Sequence, residues 1–132
     1  MIPVKQTTFG DGKEGRPHGN CLSACIASML EISIEDVPIF VKSDTWFEDM
    51  FKWLQDRGYE FKGTLYGTDI LNYDVGIGGY YIVNGLSPRN GKELSVGTPH
   101  AVLFKDRKMD FDPHPSDSGL LSIENAFMIE PI

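Results

Sequence analysis

This chain of 132 residues has only two cysteines, only twelve lysines and arginines, and no apolar run of membrane-spanning length. Each shortage removes a class of protein. Cys21 and Cys25 lie four positions apart in one apparent helix, which holds their Cβ atoms about 6 Å apart and would strain a disulfide. They read as free thiols of a reducing compartment, not as a disulfide framework. Nineteen acidic residues outnumber the basic ones and give a formal charge of -7, a field that repels phosphates and argues against a nucleic-acid partner. The opening Met1-Ile2-Pro3-Val4-Lys5-Gln6 carries no signal-peptide stretch, and no later segment approaches the roughly 18 apolar residues of a span. The expectation is a cytoplasmic protein with no membrane partner. Repeats and low-complexity tracts are also missing.

What remains is ordinary globular material, 41% hydrophobic and 23% charged. At this length one core fits and two do not, so residues 1–132 read as a single domain. Residues 7–19 hold four glycines and a proline without hydrophobic period, the signature of a mobile loop. Asn20 is placed to cap a helix over 21–31, where Leu22, Cys25, Ile26, Met29 and Leu30 repeat at three and four positions. Ser33 and Asp36 suggest a short capped turn ended by Pro38. Ser43 is the expected cap of a second helix whose face carries Trp46, Phe47, Met50, Phe51 and Leu54, and which stops at Arg57 with Gly58 after it. It is expected to cover the sheet. Strand signals follow at Tyr59–Tyr66, Gly79–Val83, His100–Lys105, Lys108–Phe111 and Ala126–Ile129. Helices followed by strands predict an α+β fold with an antiparallel sheet.

Cys21 occupies the first turn of the predicted helix, where unpaired amides and the positive end of the dipole favour thiolate, the reactive form. Small buried cysteines are usually packing, and Cys25, inside the apolar stripe, reads that way. Cys21 instead follows Gly19-Asn20 at a loop-to-helix junction that can expose a side chain. A cysteine nucleophile needs a base, and three histidines are available. His18 sits in the glycine-rich loop and reads as solvated. His114, in Asp112-Pro113-His114-Pro115, reads as a turn residue, with a place in the cleft or as a second base left open. His100 opens a strand after Pro99, so a sheet would hold its backbone rigid.

The orienting carboxylate depends on hairpin register. A three-residue turn at 105–107 pairs 104 with 108 and sets Asp112 opposite His100. A two-residue turn at Asp106 and Arg107 opposes 112 to 101 and sends the carboxylate to the other face. Asp110 shares the face of Asp112 but lies roughly 7 Å further along, and reads as solvated or structural.

Gly19-Asn20-Cys21 opening an alanine- and leucine-rich helix, then His100-Ala101-Val102, then Asp112-Pro113, resembles the papain-like cysteine peptidases, and the Asp-Pro ending is most similar to their C39-like branch. Small phage and bacterial proteins of that class look similar over most of the chain. They share an early Gln-Thr, the Gly-Asn-Cys helix, Ser87-Pro88-Arg89 and the Asp-Pro-His-Pro-Ser run. The order Cys, His, Asp is the one such peptidases use. The resemblance implies Cys21 as nucleophile, His100 as general base and acid, Asp112 as the residue fixing the imidazole tautomer, and Gln6 with the Cys21 N–H as oxyanion donors. Gln6 departs from the pattern, because fifteen positions separate it from Cys21 where the family usually keeps the two close.

The leading expectation is therefore a cysteine hydrolase of peptides, isopeptides or related amides, working through an acyl-thioester without cofactor or metal. A catalytically inactive binding protein on the same fold, directed at a host factor, is the alternative. A zinc site from His18, Cys21, Cys25 and His100 lacks the usual knuckle spacing. Gly76-Ile77-Gly78-Gly79 lacks the helix and Lys-Ser/Thr of a phosphate loop and reads as a turn before a strand. The aromatic segments Trp46–Trp53 and Tyr59–Tyr81 read as core or as cleft wall. Substrate identity and oligomeric state have no signature.

Overall fold

The computed structural model describes residues 1–67, 70, 76–88 and 98–132; Tyr73 and the Arg89 of the Ser-Pro-Arg motif lie outside them. The architecture is α+β. Two α-helices, α1 (Cys21–Leu30) and α2 (Trp46–Asp56), accompany strands β1 (Tyr59–Leu65), β2 (Tyr81–Leu86), β3 (Pro99–Lys105), β4 (Lys108–Phe111) and β5 (Ser122–Pro131). The strands form one antiparallel sheet in the order β1-β5-β2-β3-β4.

Helix α1 is apolar on more than one side. Leu22 to Met29 are all buried, because sheet residues such as Ile82, Ala101 and Leu103 cover one flank while Val37 and Phe40 close another. Full burial of a side chain such as Ile26 contributes about 2 kcal/mol, so the nucleophile candidate is carried on a well-anchored element. The helix ends at Leu30, one residue early. Glu31 adopts a left-handed conformation (φ 58°), and the Ile32 N–H closes on the Ala27 carbonyl at 3.0 Å.

Helix α2 lies against β1, with Met50 and Leu54 fully buried and Phe47 and Phe51 edge-on or tilted against Phe61 at 5.1 and 6.3 Å. Ser43 does not cap it. The Ser43 hydroxyl accepts the Thr45 N–H at 3.2 Å in the turn ahead, and Thr45 takes the N-cap position. Gly58, at φ 84°, stands just past the end as expected. Ser33 does cap a short 3₁₀ turn, Ile34–Asp36, through the Glu35 N–H.

Strand β5 is much longer than the expected Ala126–Ile129. Its first half, Ser-Ile-Glu-Asn, shows no apolar alternation toward the core, yet it pairs with β2 from Leu86↔Ser122 to Ile82↔Phe127. Tertiary pairing supplies what local propensity does not. Strand β2 starts at Tyr81 and not Gly79, because Ile77–Gly79 form a 3₁₀ turn that uses left-handed glycines at 78 and 79. The glycine run is a turn before a strand.

The β3–β4 hairpin corrects the register expectation. The turn has two residues, Asp106 and Arg107 (φ 52° and 68°), and pairs Lys105 with Lys108 and Phe104 with Met109. By strict alternation this turn would send Asp112 to the wrong face. A bulge restores it: the register slips between Leu103 and Phe104, so Leu103 faces Phe111 and Asp110 is the extra residue. Asp110 is exposed at the bulge, and Asp112 regains the parity of His100.

Candidate active site

Asn20 precedes α1, yet its side chain does not cap the helix. Instead its Oδ1 accepts the N–H groups of Thr7 and Thr8 at 2.9 and 3.0 Å, and its Nδ2 donates to the Thr7 hydroxyl at 2.9 Å. Residues 7–19 then double back as a narrow hairpin and not as the expected mobile loop. The Asn20 N–H bonds the Thr8 carbonyl, Gly19 bonds Gly10, and Gly12 bonds Pro17, with a bridge between Asp11 and His18. The fifteen positions between Gln6 and Cys21 are consumed in this excursion, and Gln6 arrives beside the helix start. Replacing Asn20 by alanine leaves two amide donors without their acceptor. The expected loss is about 1–3 kcal/mol in urea unfolding, with faster hydrogen exchange at Thr7 and Thr8.

His100 is buried at the start of β3, 5% exposed, and its Nε2 lies 2.7 Å from Asp112 Oδ1. Asp112 is fully enclosed and accepts two more bonds, from the His114 N–H (2.9 Å) on Oδ1 and the Gly119 N–H (2.8 Å) on Oδ2. Burial alone would raise its pKa; the His100 bond, the two amides and the His100 charge outweigh burial and hold the carboxyl below its usual value. Burial likewise opposes the imidazolium. The Asp112 bond and the Cys21 sulfur, acting as hydrogen-bond partner and as charge, overcome it and raise the ring from 6.5 to about 9. With Nε2 taken by the carboxylate, Nδ1 is the nitrogen able to exchange a proton with sulfur.

Cys21 is half-buried and lines a cleft of about 850 Å³, together with His100 and Gln6. Cys25 is fully buried in the core, where burial first, then the charges of Cys21 and Asp112, push its thiol well above the ordinary value. Gln6, 8% exposed, bonds the Thr8 carbonyl through Nε2 at 3.0 Å and keeps its second N–H; its Oε1 is buried without a partner. Cys21 opens α1, so its own N–H has no partner within the helix.

No family model, curated protein or solved structure matches this chain. Among the described residues no group of three or more His, Cys, Asp or Glu is arranged to hold a metal ion, and no helix is long and apolar enough to cross a membrane.

His18 lines the same cleft from the hairpin, its ring against Gly12. His114 is more than a turn residue. Its backbone serves Asp112, and its ring meets Phe9 and His100 edge-on at 5.3 and 6.3 Å. The aromatic segments divide between both expected roles: Trp46 and Phe47 line the cleft, whereas Tyr81 is fully buried. One contributor had no sequence signal. Lys5 Nζ bonds the carbonyls of Asp112 (2.9 Å) and His114 (3.2 Å) and the Asp117 carboxylate (2.6 Å), tying the N-terminal segment to the Asp112 loop. Its acceptors are mostly backbone atoms far along the chain, which no side-chain pattern announces.

Proposed function

We propose that the protein is a papain-like cysteine hydrolase, of the C39-like kind, that cleaves a peptide, isopeptide or related amide through an acyl-thioester on Cys21. The observation that carries this reading is the buried His100–Asp112 bond of 2.7 Å, with the half-exposed Cys21 thiol and His100 lining one cleft. A merely structural histidine–aspartate pair has no need of a half-exposed thiol on the ring's other side.

The steps follow from the atoms present. With the Cys21 proton already on His100, Sγ attacks the amide carbonyl carbon to form a C–S bond. The resulting oxyanion faces the Cys21 N–H and the spare N–H of Gln6. The C–N bond breaks as the imidazolium gives its proton to the leaving nitrogen. Water then loses a proton to His100 and attacks the thioester, releasing a carboxylic acid and regenerating the thiol. Asp112 keeps Nε2–H oriented throughout and stabilises the charged ring. Acyl transfer to an amine in place of water uses the same parts.

The ring holds its proton up to about pH 9, so protonation of the leaving group is available below that pH and fades above it. The deciding experiment is the rate of Cys21 alkylation by iodoacetamide against pH, in the native protein and in His100→Ala. A His100-dependent profile is expected, with alkylation near neutral pH lowered about tenfold or more in the variant. Superimposable profiles would favour a binding protein with an idle thiol.

A further inference from the structure

The two donors to the oxyanion come from different stretches of chain. The Cys21 N–H follows Asn20 directly, whereas Gln6 stands fifteen positions upstream, on the far side of the whole hairpin of residues 7–19. Closeness in sequence cannot set the distance between them, and the hydrogen bonds that do so converge on Asn20.

The Gln6 side chain is held by a single hydrogen bond. Its Nε2 donates to the Thr8 carbonyl at 3.0 Å, while Oε1 is buried with no partner. A glutamine placed for stability alone would satisfy both ends of its amide, since an orphaned buried acceptor is costly. The aim of the spare N–H therefore follows the position of the Thr8 carbonyl. That carbonyl is shared, for it also accepts the Asn20 backbone N–H at 3.2 Å. The Asn20 side chain holds the same residues from the other direction. Its Oδ1 accepts the Thr8 and Thr7 N–H groups at 3.0 and 2.9 Å, and its Nδ2 donates to the Thr7 hydroxyl at 2.9 Å. The Thr8 hydroxyl adds no hold of its own, because it is buried without a partner. Asn20 is 6% exposed, so water competes little for these bonds. Gly19 permits the close approach: a Cβ there would stand 3.1 Å from the Gly10 carbonyl oxygen and 3.6 Å from that of Thr8. The Gln6 main chain is tied separately, its N–H bonding the Pro113 carbonyl at 3.0 Å.

We propose that Asn20 is the positioning residue of the oxyanion site. It carries the Cys21 N–H as the next unit of the chain and, through the Thr8 carbonyl, aims the spare N–H of Gln6 at the same oxygen. The hairpin beyond this rung then has no part in setting the spacing of the donors. The role rests on the hydrolase reading, with Cys21 as the reacting atom.

The test compares two reagents on Cys21. With p-nitrophenyl acetate the thiolate forms a C–S bond through a tetrahedral oxyanion, the C–O bond breaks, and p-nitrophenolate leaves with its electron pair. Iodoacetamide alkylates by displacing iodide and builds no oxyanion. The ratio of the two rates, followed by p-nitrophenolate absorbance and by intact mass, separates the oxyanion site from thiolate formation. Gln6→Ala is expected to lower this ratio about 10- to 100-fold, up to the usual worth of one donor. Asn20→Ala should lower it about fivefold or more, as a donor displaced by roughly half an ångström would. Thr7→Val, at an exposed position, removes only the acceptor of Asn20 Nδ2 and should lower it about two- to threefold. Neither substitution should lower the ratio further once Gln6 is alanine, whereas a residue that only stabilises the fold would act alike in both backgrounds. A ratio unchanged in both Asn20→Ala and Thr7→Val, or one that falls equally with and without Gln6, would overturn the positioning role and leave the nucleophile untouched. If Asn20→Ala does not fold, the Thr7→Val comparison decides alone. Iodoacetamide rates that ignore His100 would instead sink the hydrolase reading, and the oxyanion role with it.

Discussion

Asp112→Ala is expected to lower the unfolding free energy by about 3–5 kcal/mol near pH 6, because it strips one partner from a buried charged pair. The carboxylate accepts three N–H groups, from His100, His114 and Gly119, and alanine orphans all of them. The loss should depend on pH in a defined way. A ring raised from 6.5 to about 9 on folding contributes about 3 kcal/mol that is fully present below pH 6.5 and disappears as pH rises through 9. Asp112, lowered from 3.8, contributes stability above that value and loses it as pH falls through its folded pKa. The gap between native protein and variant should therefore be widest between about pH 4 and 6.5 and narrow toward pH 10. Urea unfolding at pH 5.5, 7.5 and 9.5 measures it. Asp110→Ala, at an exposed bulge, should stay within about 0.5 kcal/mol at every pH. A gap that widened with rising pH would contradict a protonated ring paired with the carboxylate.

The second large effect is on covalent chemistry. Cys21→Ala should abolish alkylation of the native protein and any amide hydrolysis it performs, while Cys25→Ala should spare thiol reactivity and cost stability instead. Cys25 is fully buried with its thiol pushed well above the ordinary value, so neither access nor ionisation favours reaction. Cys25→Ala opens a small hole in the core, and the expected cost is about 1 kcal/mol. Mass spectrometry after brief iodoacetamide treatment at pH 7.5 should find one adduct on the native protein, one on Cys25→Ala and none on Cys21→Ala. His100→Gln should lower the hydrolytic rate by about 10²–10⁴, the usual worth of a positioned acid–base group. Two adducts on the native protein, or labelling of Cys25 first, would remove the ground for choosing Cys21.

Helices and the antiparallel sheet were legible because their signals are local. The three- and four-residue spacing through Leu22, Cys25, Ile26 and Met29 describes a helix wherever it packs, and Gly58 marks its partner's end in the same way. Cys21 and His100 were legible for a related reason: a helix start and a strand start are positions a short window can identify. The contact with Asp112 was legible only in outcome. The turn is the two-residue form, and the carboxylate reaches the imidazole because Asp110 is extruded, an event decided by pairing with β3 and not by residue type. Asn20 shows the opposite failure. Its residue type suits a cap, but the amides of Thr7 and Thr8 compete for the same oxygen and win. Strand β5 beyond Ala126 and the Lys5 clamp were hidden because backbone groups distant in sequence make those contacts.

The bulge at Asp110 gives the β3–β4 hairpin an arithmetic of its own. One residue removed at Asp110 would erase the extra step and leave Phe111 across from Leu103, with the carboxylate still facing the ring, while two removed together would swing it behind the sheet. Shortening this hairpin by its one extra residue is then tolerated and by two is punished, so a deletion series along it should keep reactivity at the first step and lose it at the second.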